Sequence, residues 1–255
     1  MAPHRVEFRV LGPLQVVVDG EIVEIGSRKQ RMLLCALAAE PGRAVPADAL
    51  VEVLWAGVPP VSADVTLRGL VSRLRRALGG AGDRLVAGQG GYLLRLAADE
   101  VDADRFVRLV TRGRDDLAIG RPDQAAVALR TALDLWRGTP MVELADSELG
   151  RVLAARLAEA RAAAIEELAG AELAAGRPAA AVDLLGPHLA ANPLREPAWE
   201  HLILALYRLG RQADALNAYR RVRGILRDDL GVEPNPALRR LQNRILVQDH
   251  GLDLV

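Results

Sequence analysis

Aromatic side chains are scarce: Phe, Trp and Tyr make up 3% of the 255 residues, although hydrophobic residues make up 51%. A core of that kind is built from Leu, Val and Ala, and Ala and Leu lead the helix-propensity scale, so the chain favours helices. No run of about 20 apolar residues is present, which argues against a membrane-spanning helix and against a membrane partner. The first nine residues are charged and hold too little apolar sequence for a signal peptide, so the expected location is cytoplasmic. The single cysteine, Cys35, has no partner for a disulfide within the chain. It lies in the apolar run Met32, Leu33, Leu34, Cys35, Ala36 and Leu37 and reads as a small core hydrophobe. The four histidines, His4, His188, His201 and His250, lack metal-ligand spacing. No catalytic constellation emerges, so the expectation is a non-enzyme without a metal or cofactor.

Net charge is absent too, with 33 Lys and Arg against 33 Asp and Glu. The charges are nevertheless unevenly placed. Residues 1–98 hold twelve basic against nine acidic side chains, and residues 62–95 hold six against two. A local excess of this kind is what phosphate binding needs, because neutralised phosphates release condensed counterions. It is also what an ordinary solvated face carries.

Local patterning divides the chain in two, as its length allows. Strands are expected over 7–12, 14–18 and 21–23, with Asp19 and Gly20 marking a tight hairpin turn. Ser27 can cap a helix over 28–39, ended by Pro41 and Gly42. A helix over 46–54 breaks at Trp55–Pro60, a third spans 63–78, and a hairpin follows over 84–86 and 92–95. Beyond residue 101 strand signals vanish, and helices are expected over 103–118, 122–136, 147–175, 178–191, 196–209, 211–229 and 235–247. Gly120-Arg121, Gly176-Arg177 and Gly210-Arg211 each open a segment that carries an Ala four residues after the Arg. The last two glycines are 34 residues apart, the period of tetratricopeptide (TPR) repeats, whereas the first interval is 56. The expected fold is mainly α: a small α+β winged helix-turn-helix domain over 1–98, followed by an all-α, TPR-like helical domain over 99–255.

The segment 62–80 carries most of the functional signal. Leu67, Leu70, Val71, Leu74 and Leu78 form one apolar stripe at helical spacing. The opposite face carries Val65, Gly69, Ser72 and Arg76, flanked by Thr66, Arg68 and Arg73. Such a face suits the DNA major groove. Gly69 has no side chain to hold the helix off base edges, Val65 or Thr66 can meet a thymine methyl, and Arg73 and Arg76 can reach guanine O6 and N7 or a phosphate. Arg75 lies nearer the buried edge and reads as a phosphate clamp or an ion-pair partner. The hairpin tip over 88–90, with Gln89 and Gly90, would form a wing, and Arg84 sits where a phosphate contact is expected. Arg28 and Lys29, at the start of the first helix, offer charge and backbone N–H groups to a phosphate. The Gly-rich tip lacks a following Lys-Ser/Thr and leads into a strand, so it is no nucleotide-binding loop.

The ordered segments FRVLGPLQV, GSRKQRMLLCALA, LVEVLW, TLRGLVSRLRRALG and GGYLL resemble the OmpR-type winged helix of the Streptomyces antibiotic regulatory protein (SARP) family. From Asp102 to about Leu246, ALDLWRG and the stretch from NPLREPAWEHL to LRRLQNRIL are similar to that family's bacterial transcriptional activator domain. The resemblance implies an activator of secondary-metabolite (antibiotic) gene clusters. It would bind direct repeats in double-stranded promoter DNA near the −35 region as a side-by-side homodimer and recruit RNA polymerase holoenzyme. Carried over by position, Thr66, Gly69, Ser72, Arg73 and Arg76 meet the major groove and Arg75 the backbone, while Arg84 and the tip serve the wing. The loop between the second and third helices matches the family's polymerase-facing loop, with Gly57, Val58, Pro59 and Pro60 exposed and Trp55 in the core. Gly69 departs from the polar residue often found at its position. Some family members continue into an NTPase module, so the chain is expected to be either a small member or an N-terminal fragment of a larger one. A protein–protein scaffold and a ligand-gated regulator remain as alternatives from the residues alone.

Overall fold

A computed structural model describes residues 4–88, 90–97 and 99–253. The chain divides into two compact units. One takes the residues up to Arg108 together with Asp134–Ala160; the other takes Leu109–Leu133 together with the residues from Arg161 onward.

In the first unit, β1 (Val6–Arg9), β2 (Gln15–Val18) and β3 (Glu21–Val23) form an antiparallel sheet in chain order. Val6 stands opposite Val18, and Val16 opposite Val23. Side chains alternate across a strand, so Val6 and Phe8 are buried while Glu7 and Arg9 take the other face. The hairpin turn at Asp19 and Gly20 has positive φ at both residues, the geometry expected of that dipeptide.

Helix α1 (Arg28–Ala38) starts with a capping box: the Ser27 hydroxyl accepts the Gln30 N–H, and the Gln30 side-chain oxygen accepts the Ser27 N–H. Every residue from 32 to 38 is buried. Its last two turns are apolar all round and so belong at the centre of a core, and α1 packs against α2 (Ala47–Trp55), α3 (Ala63–Ala77) and a 3-10 turn at Val142–Leu144. Cys35 lies in this core, where burial and the nearby Glu143 carboxylate push its thiol pKa well up.

The hairpin of β5 (Leu85–Gly88) and β6 (Gly91–Leu94) falls close to its expected place, but it belongs to a three-stranded sheet. The additional strand, β4 (Val45–Pro46), pairs with β6, with Val45 opposite Tyr92 and Pro46 opposite Gly91. Two residues are too few to show alternation, and Pro46, expected to open the second helix, instead ends this strand one residue before α2. Gly91 makes this pairing possible, because a Cβ there would stand 2.1 Å from the Val45 carbonyl oxygen.

Helices α4 (Asp102–Ala118), α5 (Pro122–Leu133) and α6 (Glu148–Ala174) follow, with α4 and α6 each running from the first unit into the second. In the second unit α7 (Pro178–Ala191) packs on α8 (Glu196–Arg208), α8 on α9 (Gln212–Leu230), and α10 (Pro236–Leu246) on both α8 and α9. Trp199, Ile203, Tyr219, Val222 and Ile245 are among its core residues.

The recurring Gly-Arg pairs are structural equivalents. Gly120, Gly176 and Gly210 have φ of +73°, +76° and +74°. The next N–H in each case, from Arg121, Arg177 and Arg211, donates to the carbonyl five residues earlier, at 2.8, 2.8 and 3.0 Å. This is the Schellman closure of a helix on a left-handed glycine. Ala125, Ala181 and Ala215 are then fully buried. The 56-residue interval contains Asp134–Ala160, which belongs to the first unit and interrupts the period. Among the described residues, no helix is long and apolar enough to cross a membrane.

Candidate nucleic-acid interface

Helix α3 presents the face that its periodicity predicts. Ala63, Leu67, Leu70, Val71 and Leu74 are buried, while Val65, Arg68, Ser72, Arg73, Arg75 and Arg76 are exposed and Thr66 and Gly69 are intermediate. The four arginines share the helix with one carboxylate, Asp64 in its first turn. None of the four forms an ion pair among the described residues. Arg68 Nε donates to the Asp64 carbonyl at 3.3 Å, within its own helix. Arg75 Nε donates to the Leu85 carbonyl at 2.8 Å, which ties the helix to the first residue of β5.

Gly69 and Arg73 act together. A Cβ at Gly69 would lie 3.5 Å from an Arg73 terminal nitrogen and 3.9 Å from its guanidinium carbon. The missing side chain therefore gives the Arg73 guanidinium a seat along the helix surface, four residues toward the N-terminus, as i and i+4 spacing allows. An Ala fits this seat with ordinary contact distances, and a longer side chain displaces the arginine.

Behind α3, a 3-10 turn over Gly79–Arg84 packs tightly: a Cβ at Gly82 would meet the Arg75 carbonyl at 2.2 Å, and one at Gly80 the His4 ring at 2.1 Å. Arg84 makes contacts within the fold. Its guanidinium donates to Glu100 Oε2 at 2.5 Å and to the His4 carbonyl at 2.7 Å, and its side chain is only 20% exposed. These contacts tie the start of β5 to residues 4 and 100 and use two of its five N–H donors.

Arg28 and Lys29 also meet other partners. Arg28 pairs with Asp146. Lys29 is half-buried with its ammonium 3.7 Å from the centre of the Trp55 ring, a cation–π geometry, and desolvation lowers its pKa. Trp55 packs against the core, as expected.

At the hairpin tip, Gln89 lies outside the described residues. Gly90 has φ of +78°, and its carbonyl accepts the Ala47 N–H at 2.9 Å at the start of α2. Beside the wing role expected of the tip, Gly90 and the adjoining Gly91 serve the close approach to residues 45–47. The loop Gly57, Val58, Pro59 and Pro60 is exposed throughout, with Val58 at 82% and the adjoining Val61 fully open to solvent. Ala56 and Gly57 turn the chain out of α2 with positive φ, and the Pro60 carbonyl accepts the Ala63 N–H at the start of α3.

A winged helix whose surface helix carries unpaired arginines defines a class, the winged helix-turn-helix regulators. Two family models match in the corresponding order: "Transcriptional regulatory protein, C terminal" over residues 23–94 and "Bacterial transcriptional activator domain" over residues 101–246. The regulator EmbR of Mycobacterium tuberculosis is 42% identical over 96% of this chain, which spans 64% of EmbR's length. RedD of Streptomyces coelicolor is 38% identical, covering 96% of this chain and 71% of RedD, and DnrI of Streptomyces peucetius is 36% identical, covering 97% and 94%. A solved structure of M. tuberculosis EmbR in complex with a low-affinity phosphopeptide superimposes with a TM-score of 0.92, covering 96% of this chain and 66% of that one. The chain belongs to the SARP family of transcriptional regulators.

Proposed function

We propose that this protein is a DNA-binding transcriptional activator, not an enzyme, that acts in the cytoplasm at the nucleoid. Residues 1–98 form the DNA-binding domain and residues 99–255 the activator domain. Helix α3 lies in the major groove. Arg73 and Arg76 take base edges or phosphates, Arg68 and Arg75 flank them at the backbone, and Thr66, Gly69 and Ser72 form the close-contact surface between. Gly90 and Gln89 lie at the wing tip. The observation that carries this reading is the set of arginines on one exposed helix face that form no ion pair among the described residues. Unpaired guanidinium groups keep their full electrostatic attraction for phosphate, and a fork geometry that matches guanine O6 and N7.

The finer reading is that two copies bind direct repeats near the −35 region side by side and recruit RNA polymerase holoenzyme through Gly57, Val58, Pro59 and Pro60, at antibiotic or other secondary-metabolite genes. The exposure of that loop on a short, Pro-rich connection supports it. Footprinting on promoter DNA carrying direct repeats is the test. Protection of two repeats by the intact chain, with affinity for them reduced by about 1–3 kcal/mol in Arg73→Ala or Arg76→Ala, is the expected result. Wild-type affinity in both variants would refute the groove assignment.

A further inference from the structure

A second cluster of arginines lies away from α3, on the outer face of the first sheet. The pattern Arg5, Val6, Glu7, Phe8, Arg9 and Val10 alternates charged and apolar residues, so Val6, Phe8 and Val10 enter the core while Arg5, Glu7 and Arg9 share the other side. Arg105 from the second turn of α4 and Arg137 from the segment after α5 close on the same place, around a cavity of about 360 Å3.

The local carboxylates do not use up these four guanidinium groups. Glu7 accepts one N–H from Arg9 at 2.9 Å and one from Arg105 at 2.8 Å, and this bracketing holds its carboxyl below the usual range. Asp102 is almost fully buried, and its oxygens are occupied by the Val10 and Leu11 N–H groups at 2.7 and 3.1 Å. Arg137 gives one N–H to the Pro13 carbonyl at 3.0 Å and stands 3.9 Å from Asp102. The Arg5 side chain forms no hydrogen bond or ion pair among the described residues. Each guanidinium carries five N–H donors, so most of the donors around the cavity remain unspent. Asp134, exposed at the rim, is the carboxylate that an incoming anion would meet.

We propose that this cavity binds a small tetrahedral oxyanion, a phosphate or a phosphoryl group on a small molecule. Donors converge from three separate segments of chain, β1, α4 and the residues near 137. A tetrahedral anion accepts from several directions at once, whereas a planar carboxylate accepts mainly in its own plane. The volume is about twelve times the roughly 30 Å3 share of one water molecule and lies at the small end of ligand sites. Glu7 stands in the middle of the cluster as an internal anion that shares the donors with the ligand. The site is independent of the DNA-binding reading, since none of its residues lies on α3.

The test is calorimetric titration of the intact chain with inorganic phosphate, pyrophosphate and glycerol 3-phosphate at matched ionic strength, with amide NMR shifts followed in parallel. Saturable binding is expected, with shifts gathered at residues 5–9, 102–105 and 135–137. Arg5→Gln and Arg105→Gln should each weaken it about tenfold. Glu7→Gln, which frees two guanidinium groups, and Asp134→Asn, which removes the rim charge, should strengthen it. Because Arg5 and Asp134 are exposed, those two variants keep the test valid if the others perturb folding. Tighter binding of inorganic phosphate assigns a free anion, and tighter binding of glycerol 3-phosphate assigns a phosphorylated metabolite. No saturable binding, or binding that ignores Arg5→Gln and Asp134→Asn alike, would overturn the proposal. So would displacement of phosphate by random-sequence duplex DNA, which would make the cluster a nucleic-acid contact.

Discussion

In α3 the guanidinium groups of Arg73 and Arg76 face solvent with no ion-pair partner among the described residues, whereas in the second unit Arg130 and Arg177 converge on one fully buried carboxylate, Glu172. The same unit pairs Arg114 with Glu167, Arg195 with Glu166 and Arg223 with Glu233. Arginine thus serves two purposes in one chain. In the helical unit it satisfies carboxylates and joins one helix to the next; on α3 its charge is left available to a partner. A net charge of zero conceals this, because neutralised pairs and unpaired cations add to the same total.

The largest effect is expected where the pairing is deepest. Glu172→Ala removes the acceptor of two guanidinium groups and leaves a void beside α5 and α7. Arg130 and Arg177 are each about half exposed and can turn to water, so the cost is that of lost charge-assisted hydrogen bonds, about 3 kcal/mol in urea unfolding. Specific DNA binding by the fraction that remains folded should be unchanged. Next come Arg73→Ala and Arg76→Ala, whose expected losses of about 1–3 kcal/mol fall on specific DNA binding. Their unfolding free energies should stay within about 0.5 kcal/mol of wild type, as at other surface sites. A marked loss of stability in either would mean that these arginines, too, hold the fold, and the contrast between the regions would collapse.

Arg84→Ala sharpens the comparison, since Arg84 belongs to the winged helix yet behaves like an arginine of the helical unit. It should cost about 1–2 kcal/mol of stability through the lost contacts to Glu100 and His4, and leave the slope of DNA affinity against salt unaltered. A slope smaller by about 1 would restore it as a phosphate contact. The smallest effect is expected from Gly69→Ala, which should gain roughly 0.5–1 kcal/mol in unfolding free energy by improving a helix interior. The Arg73 seat tolerates a methyl group, so specific binding should persist. Gly69→Leu should displace Arg73 and reproduce the binding loss of Arg73→Ala, and intact binding in that variant would remove the seat from the account.

Much of the fold is legible in the sequence. The stripe of Leu67, Leu70, Val71 and Leu74, the capping box at Ser27, the hairpin at Asp19 and Gly20, and the glycine closures at 120, 176 and 210 all arise from interactions spanning a few residues. The exposed face of α3 followed from the same periodicity. The third strand of the wing sheet did not, because Val45 and Pro46 are held by β6 rather than by any preference of their own. Arg84, Arg28 and Lys29 carried the right charge for phosphate contacts but met Glu100, Asp146 and the Trp55 ring, partners 16, 118 and 26 positions away.

By itself, then, the amino-acid order determined the elements, their caps and which side of each helix is apolar, since those depend on near neighbours along the chain. Only the tertiary structure decided which positive charges remain available, since a guanidinium is neutralised by whichever carboxylate the fold brings to it. For Arg84 and Arg28 that carboxylate arrived from a distant segment. For Arg73 and Arg76 none did among the described residues.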